Sequence, residues 1–566
     1  MKKLFTTLVI LFLIAVLGVS FYRLYYVKYS YTEDRADLNA YYGVESEDDF
    51  PVILQDELSE YRAVRIDGEI YMDVRDVKKL INDRFYLGAQ DGIVCYCLPD
   101  RRITVREGES SWTDSKGGSG DEDYMILVLR GDDQYFISLD FVRQYSNFSF
   151  EVFTEPNRVV MYTQWGERNE ADVKGASKLR TSGGVKSEIV ADVPSGSRVV
   201  VLDQMDTWSK VMTQDGMIGY VENRKLGPVQ TVATQPVTDY EEPEFTHKSM
   251  DGIVNLAWHG IAGAAGNQTL QDRIAGTKAV NVVAPTWFVV LNEDGAMESR
   301  CTQDYVDAVH DMGKHVWAVL DNFNGPGGLQ QSFLASEEAR KRLIDTVMDE
   351  VLSHGIDGIN VDFEGIAAEN GDDYIEFVRE LSIRCRDEDI FLSVDNYVPY
   401  NFNDYYRLDE QGTFTDYVVI MGYDEHYAGS QEPGSVASID YVTYGIKEAL
   451  KEVPAQRLIN GIPFYTRVWR TAADGVTSEA YGMREARQFI ENHGMTMEWD
   501  EADGQYYAES SEDDATYQIW VEDKESIERK LEVMKEYHIA GVAEWALGLE
   551  TADVWDVIEA YVKSGD

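Results

Sequence analysis

The chain has 566 residues, 51 of them basic and 101 acidic, for a net charge of −50. A chain this long exceeds one hydrophobic core and predicts three or four domains, and so acidic a surface excludes a nucleic-acid partner. The four cysteines, Cys95, Cys97, Cys301 and Cys385, form neither a disulfide framework nor a zinc pattern, so buried thiols are expected.

Lys2 and Lys3 precede an uncharged run from Leu4 to Phe21, and Arg23 and Lys28 follow it. As a helix the run is about 27 Å long, enough for the hydrocarbon layer. No Ala-x-Ala signal ends it, so residues 1–29 read as a cytoplasmic stub and a single-pass anchor, with the bulk of the chain outside the cell membrane. Removal of the segment, giving a secreted protein, is the alternative.

Residues 50–165 predict small α+β modules. Val64 to Met72 is a hairpin turning at Asp67-Gly68, and a short helix follows over 76–81. A related pattern runs from Tyr135 to Val142, with a strand at Arg158 to Tyr162. Between them, 106–123 is rich in Gly and Ser and reads as a mobile loop. The region resembles the stalk-like domain at the amino terminus of some amine oxidases and of many bacterial envelope proteins, and a spacer is expected. Residues 168–228 predict short strands with turns, from Leu179-Arg180-Thr181-Ser182 to Gly219-Tyr220-Val221. Their order is similar to bacterial SH3-like domains, which implies either a wall-peptide binder or a second spacer. Residues 229–247, with Pro236 and Pro243, read as a linker.

From 248 to 566 strands alternate with helices. The expected strands are Ile253–Trp258, Val280–Phe288, His315–Leu320, Gly358–Glu364, Ile390–Asp395, Tyr417–Asp424, Arg457–Phe464 and Gly541–Trp545. Eight parallel strands predict a (β/α)8 barrel. A helix capped by Ser336 and ended by Gly355 carries the apolar stripe Leu343, Ile344, Val347, Met348, Val351 and Leu352. The segment 471–522, rich in Tyr, Trp and acidic residues, reads as an inserted α+β subdomain walling a cleft.

Within this region lies Asp357-Gly358-Ile359-Asn360-Val361-Asp362-Phe363-Glu364. As a strand it puts Asn360, Asp362 and Glu364 on one face and the apolar residues on the other. Burying unpaired charge is costly, so a polar row in a barrel predicts function. Active sites of such barrels lie at the carboxyl ends of strands, which sets Glu364 at the mouth and Asp362 one layer below. Asp362 and Glu364 are about 6.6 Å apart along the backbone, close enough that one keeps its proton near neutrality. A protonated Glu there is a general acid for glycosidic cleavage. Both acids share one strand face, so neither is placed to attack from the far side of the sugar. A 2-acetamido sugar supplies its own carbonyl oxygen, and Asp362 would hold the acetamido N–H.

The strand resembles the DGxDxDxE signature of glycoside hydrolase family 18, the chitinase-like barrels. The resemblance implies Glu364 as proton donor, Asp362 as the acetamido-orienting carboxylate, and Asp357 and Asn360 in supporting positions. Met421-Gly422-Tyr423-Asp424 resembles the MxYD segment, which implies that Tyr423 bonds the acetamido carbonyl and that Met421 and Asp424 contact the sugar. Gly461 to Arg467 resembles the seventh-strand segment and brings in Tyr465 and Arg467, and Trp545 resembles the tryptophan flooring the cleaved-sugar subsite. Asn360 departs from the family, whose Asp there shares a proton with the next acid. The Asn form resembles the spore and cell-wall branch, N-acetylglucosaminidases of peptidoglycan. The resemblance thus implies a retaining, substrate-assisted hydrolase of β-1,4 bonds next to N-acetylglucosamine in peptidoglycan or chitin, with no cofactor. Two rivals stay open: Mg²⁺ or Ca²⁺ on the Asn–Asp–Glu oxygens, and a weakly active barrel serving as a wall-glycan lectin or sensor. Trp258 and Trp287 suit stacking or packing equally, Asp321 and Asn322 are expected to line the cleft, and His259, His315 and His426 read as structural.

Overall fold

A computed structural model describes residues 2–323, 331–512 and 514–565. The chain divides into two compact units. One holds the residues up to Leu87 with 105–113 and 119–242, and the other holds 88–104, 114–118 and 243–566.

In the first unit a helical stretch, Lys2–Tyr29, is long and apolar enough to cross a membrane, and none of its residues is buried in the protein. A seven-stranded sheet follows, in the order Ser149–Phe153, Arg158–Tyr162, Asp49–Leu54, Glu57–Ile66, Glu69–Asp73, Gln134–Ser138, Leu127–Arg130. The expected hairpin is present: Asp67 and Gly68 both take positive φ, 51° and 101°, as a two-residue turn between twisted strands requires. The short helix over Val74–Leu80 is also present. The expected mobile loop is instead ordered. Ser111 and Trp112 pair with Asp121 and Gly120, and Asp114 holds its own turn by accepting the Lys116 and Gly118 amides at 2.8 and 2.7 Å. Gly and Ser there serve tight turning: a Cβ on Gly120 would lie 2.7 Å from the Trp112 ring.

The SH3-like sheet has the order Ile189–Val193, Ser177–Arg180, Ile218–Glu222, Trp208–Thr213, Arg198–Gln204, Glu167–Asp172, Gln230–Ala233. Its last strand takes Gln230 to Ala233 from the expected linker, because Glu167–Glu170 leaves a sheet edge for them to pair with. Tyr42 fills this module's core and accepts the Ile218 amide at 2.7 Å.

In the second unit eight parallel strands close a barrel: β1 Val254–His259, β2 Val282–Val290, β3 His315–Asp321, β4 Gly358–Asp362, β5 Phe391–Tyr397, β6 Tyr417–Met421, β7 Leu458–Pro463 and β8 Gly541–Trp545. Its interior is layered. At the amino end Trp317, Phe391 and Tyr417 stack together, and Gly358 admits them, since a Cβ there would meet Trp317 at 2.5 Å. Trp258, Asn360 and Ser393 form the layer above. In the layer nearest the carboxyl mouth the strand register aligns Asp321 with Asp362, and pairs Val361 with Val394, so that Asp395 falls beside Asp362 on the far side.

Three helices frame β4: α1 Glu337–His354, α2 Gly371–Asp387 and α3 Leu408–Phe414. Ser336 caps α1 through the Ala339 amide, and Gly355 ends it at φ 67°. Leu343, Ile344, Val347, Met348 and Val351 are buried, whereas Leu352 lies exposed on the next face of the helix. Arg340 and Glu380 join α1 to α2, and Arg379 joins α2 to Glu410 of α3. Residues 88–104 belong to this same unit: Arg102 donates to Glu380 and Glu337 at 2.5 Å each, and Cys97 bonds Glu376 at 3.4 Å. The sequence-defined stalk is therefore not one body. Cys95, Cys97 and Cys385 are buried thiols as expected, but Cys301 is only half-buried.

The inserted subdomain is an antiparallel sheet, in the order Gly475–Gly482, Tyr465–Ala472, Ala515–Val521, Gln505–Glu512, Glu498–Asp500, with a helix over Met483–Asn492. It begins at Tyr465, ahead of the expected 471, because the chain leaves β7 and at once pairs with Gly482.

Candidate active site

The strand ladder of β4 stops at Asp362, two residues earlier than expected, and Glu364 stands on the turn beyond it. Asn322 causes the break: its side chain takes over both backbone groups of Glu364, accepting the amide at 3.0 Å and donating to the carbonyl at 2.9 Å. Gly365, at φ 61°, then turns the chain away. The Glu364 side chain is half-buried, and the Tyr397 hydroxyl at the end of β5 donates to its Oε2 at 2.7 Å. Burial raises its pKa, and the negative charge of Asp424 adds to the rise, against the Tyr397 bond. The other oxygen can carry a proton.

Asp362 is buried beneath, and its Oδ1 meets no hydrogen-bond partner among the described residues. Burial first, then the charges of Asp395, Glu364 and Asp321, push its pKa well above the carboxylate range. Asp395 is raised to about 8, chiefly by burial, and Asp321 to about 6 for the same reason. Four carboxyls thus crowd one barrel mouth. They do not converge as metal ligands: among the described residues the only grouping close enough is Cys301, Glu350 and His354, outside this site.

Asn360 lies a layer lower, and all of its amide is engaged. It accepts from Trp258 Nε1 at 2.9 Å and donates to Ser393 Oγ at 2.9 Å and Asp395 Oδ1 at 2.7 Å. Its partner is Asp395, not Asp362. Tyr423 is buried against Gly461 and edge-on to Tyr465 at 6.3 Å, with its pKa raised by burial and then by Tyr465 and Asp362. Asp424, at φ 60°, is clamped by the Tyr465 hydroxyl. Met421 ends β6 facing inward, and Trp545 meets Trp258 edge-on at 5.9 Å. Arg467 points along the inserted sheet to Ser478 at 3.2 Å.

Asp357 does not join this group. It sits before β4 at the opposite end of the barrel, where its carboxylate accepts the Val316 amide and His310 Nε2, both at 2.8 Å. Its role is to seat the strand. Trp258 packs inside through Asn360, and Trp287 packs outside through Asn267. His259 is spent on Tyr305 and Thr269, and burial lowers its pKa to about 4. Asp395 and Tyr397 are the residues missed. The signal for both was the two-residue alternation Phe391, Ser393, Asp395, Tyr397 on the next strand, which matches the inward row of β4.

A half-buried acid over a buried one, at the carboxyl mouth of an eight-stranded barrel, is an arrangement that suits acid-assisted glycosidic cleavage. Comparison with known proteins agrees. Residues 292–550 match the glycosyl hydrolases family 18 model and residues 174–226 the bacterial SH3 domain model. The barrel is a family 18 glycosyl hydrolase domain preceded by a bacterial SH3 domain. An uncharacterized glycosylase, YvbX, of Bacillus subtilis (strain 168) is 29% identical over 44% of this chain and 75% of its own length. The cortical fragment-lytic enzyme of the same organism is 25% identical over 42% of this chain, which spans only 57% of that enzyme. The barrel fold is shared with the C-terminal domain of a chitinase-like protein from Desulfitobacterium hafniense DCB-2, at 19% identity and TM-score 0.50 over 56% of this chain and 99% of that one. It is shared equally with a chitinase from Chromobacterium violaceum ATCC 12472, at 22% identity and TM-score 0.50 over 55% and 98%.

Proposed function

We propose that this protein hydrolyses β-1,4 bonds next to N-acetylglucosamine in cell-wall peptidoglycan, with retention, using the substrate's acetamido oxygen as nucleophile. Glu364 protonates the leaving oxygen. Tyr397 then stabilises the carboxylate left behind. Asp362 accepts the acetamido N–H and faces the cation as the oxazolinium ring closes, while Tyr423 orients the carbonyl. Met421, Asp424, Tyr465 and Trp545 contact the glycan, and Arg467 holds the inserted sheet beside them. Water then opens the ring as Glu364 takes a proton from it, restoring the acid.

The observation that carries this reading is the buried, unpartnered Oδ1 of Asp362 below Glu364. A lone buried acceptor is costly without a donor, and a substrate amide N–H is such a donor. The SH3 module favours the wall over free chitin as the target, and the apolar helix Lys2–Tyr29 supports tethering at the outer face of the membrane. The test is reducing-end release from purified peptidoglycan and from chitin oligomers by the parent and by Glu364→Gln. Turnover of peptidoglycan lost in the variant supports the reading. Binding without any turnover in the parent refutes it in favour of a wall-glycan lectin.

A further inference from the structure

Asn360 has replaced the acid expected beside Asp362, yet the acid has not left the site. The register places Asp321, Asp362 and Asp395 at one height on three neighbouring strands, with backbones about 4.8 Å apart. All three side chains point inward with the rows below them. The orientation of Asn360 is dictated: Trp258 Nε1 can only donate, so it takes the amide oxygen and turns Nδ2 toward Ser393 and Asp395. An aspartate at 360 would hold a second carboxylate against Asp395.

We propose that Asp395 is the positioning acid of this barrel, keeping from the neighbouring β5 strand the proton that leaves Asp362 anionic for the substrate amide. The inference rests on the reading of Asp362 as the acetamido clamp. In the resting site the two carboxyls carry one proton between them. When the amide N–H arrives at Asp362, the proton resides on Asp395. It leaves one carboxyl oxygen and joins another, so charge and atoms balance and no co-reactant is needed. Asn360 anchors Asp395 without competing for the proton, since an amide does not ionise.

Asp395 is wholly buried, and its pKa of about 8 reflects burial and the Glu364 charge, opposed by the Asn360 bond. The titratable groups facing it are Asp362 and Glu364 from β4 and its turn, Tyr374 from α2 and Tyr423 from the end of β6. Both tyrosines stay neutral near pH 7, since burial raises each above the ordinary phenol range.

Two measurements on the full chain test this. Carbon NMR of aspartate-labelled protein should show a carboxyl titrating near pH 8 in the parent that is assigned to Asp395 by loss of its signal in Asp395→Asn, the burial-raised Asp362 signal remaining in both. Parent carboxyls all titrating below pH ~5 would overturn the proposal, and this result is independent of whether any glycan is cleaved. Asn360→Asp should lower hydrolysis about tenfold or more, because two acids then contend for one site, and Asn360→Asp with Asp395→Asn should restore most of it. A single variant more active than the parent, or a double variant no better than the single, overturns the proposal. If the parent cleaves no wall glycan, the Proposed function fails and the NMR titration still decides the place of the proton.

Discussion

Tyr397→Phe isolates the contribution of one hydroxyl to the proton donor. The substitution keeps the ring and removes the 2.7 Å bond to Glu364 Oε2. That bond favours the carboxylate, so without it the Glu364 pKa, already raised by burial, rises further. A hydrogen bond to a charged acceptor is worth about 1.5–3 kcal/mol, and about 1.4 kcal/mol corresponds to one pH unit. Tyr397 is 37% exposed, so water replaces part of the bond and the lower end applies. The basic limb of kcat, which reports loss of the proton from Glu364 in the complex, should move up by about one pH unit. The plateau should fall about tenfold, because the carboxylate produced on proton transfer has lost its donor. A pH–rate series on a chromogenic chitin oligomer reads both. A basic limb that stays in place, whatever the plateau does, refutes the role given to this hydroxyl.

Asp362→Asn should cost about 10²–10³ in kcat, the range for losing one electrostatic partner of a developing charge, and should raise the melting temperature. Its folded-state pKa is raised, so the native stability of the parent is full below the ordinary aspartate value and is lost as pH rises through the folded value. The gain on substitution is therefore larger at pH ~8 than at pH ~5, and an equal gain at both refutes it. Glu544→Met tests the same physics away from the chemistry. Glu544 is fully buried, both its oxygens lack a partner among the described residues, and burial, then Glu550, raises its pKa. By the same sign, thermal unfolding should show stabilisation that grows from acid to neutral pH with hydrolysis retained. Gly461→Ala puts a methyl 3.0 Å from Tyr423 Cε1 and 3.2 Å from the Ile420 carbonyl. Displacing that ring should lower kcat/KM about ten- to hundredfold on acetamido sugars with little change in melting temperature.

Alternation within a strand was enough to stack Glu364 over Asp362 over Asn360 and to find all eight barrel strands. It carries no information about which residues of different strands share a height. That is why the pairing of Asp395 with Asn360 and of Tyr397 with Glu364, both one strand across, is not legible in the sequence. Asp357, expected in a supporting position, lies at the opposite end of the barrel from Glu364, because a strand carries its two ends to opposite mouths. The strand end at Asp362 depends on Asn322, a side chain that takes both backbone groups of Glu364, forty-two positions further on. The segment 106–123 was misread on composition, although Trp112 facing Gly120 is the kind of large–small pair that a hairpin requires.

Arg102 also bears on how the molecule can be handled. Truncating at residue 243 would remove the guanidinium that Glu337 and Glu380 share and uncap the Cys97 contact with Glu376. A fragment carrying only the conventional catalytic segment would leave Glu380 to Arg340 alone and Glu376 to Arg379 alone, because the second unit draws on stretches that are far apart along the gene.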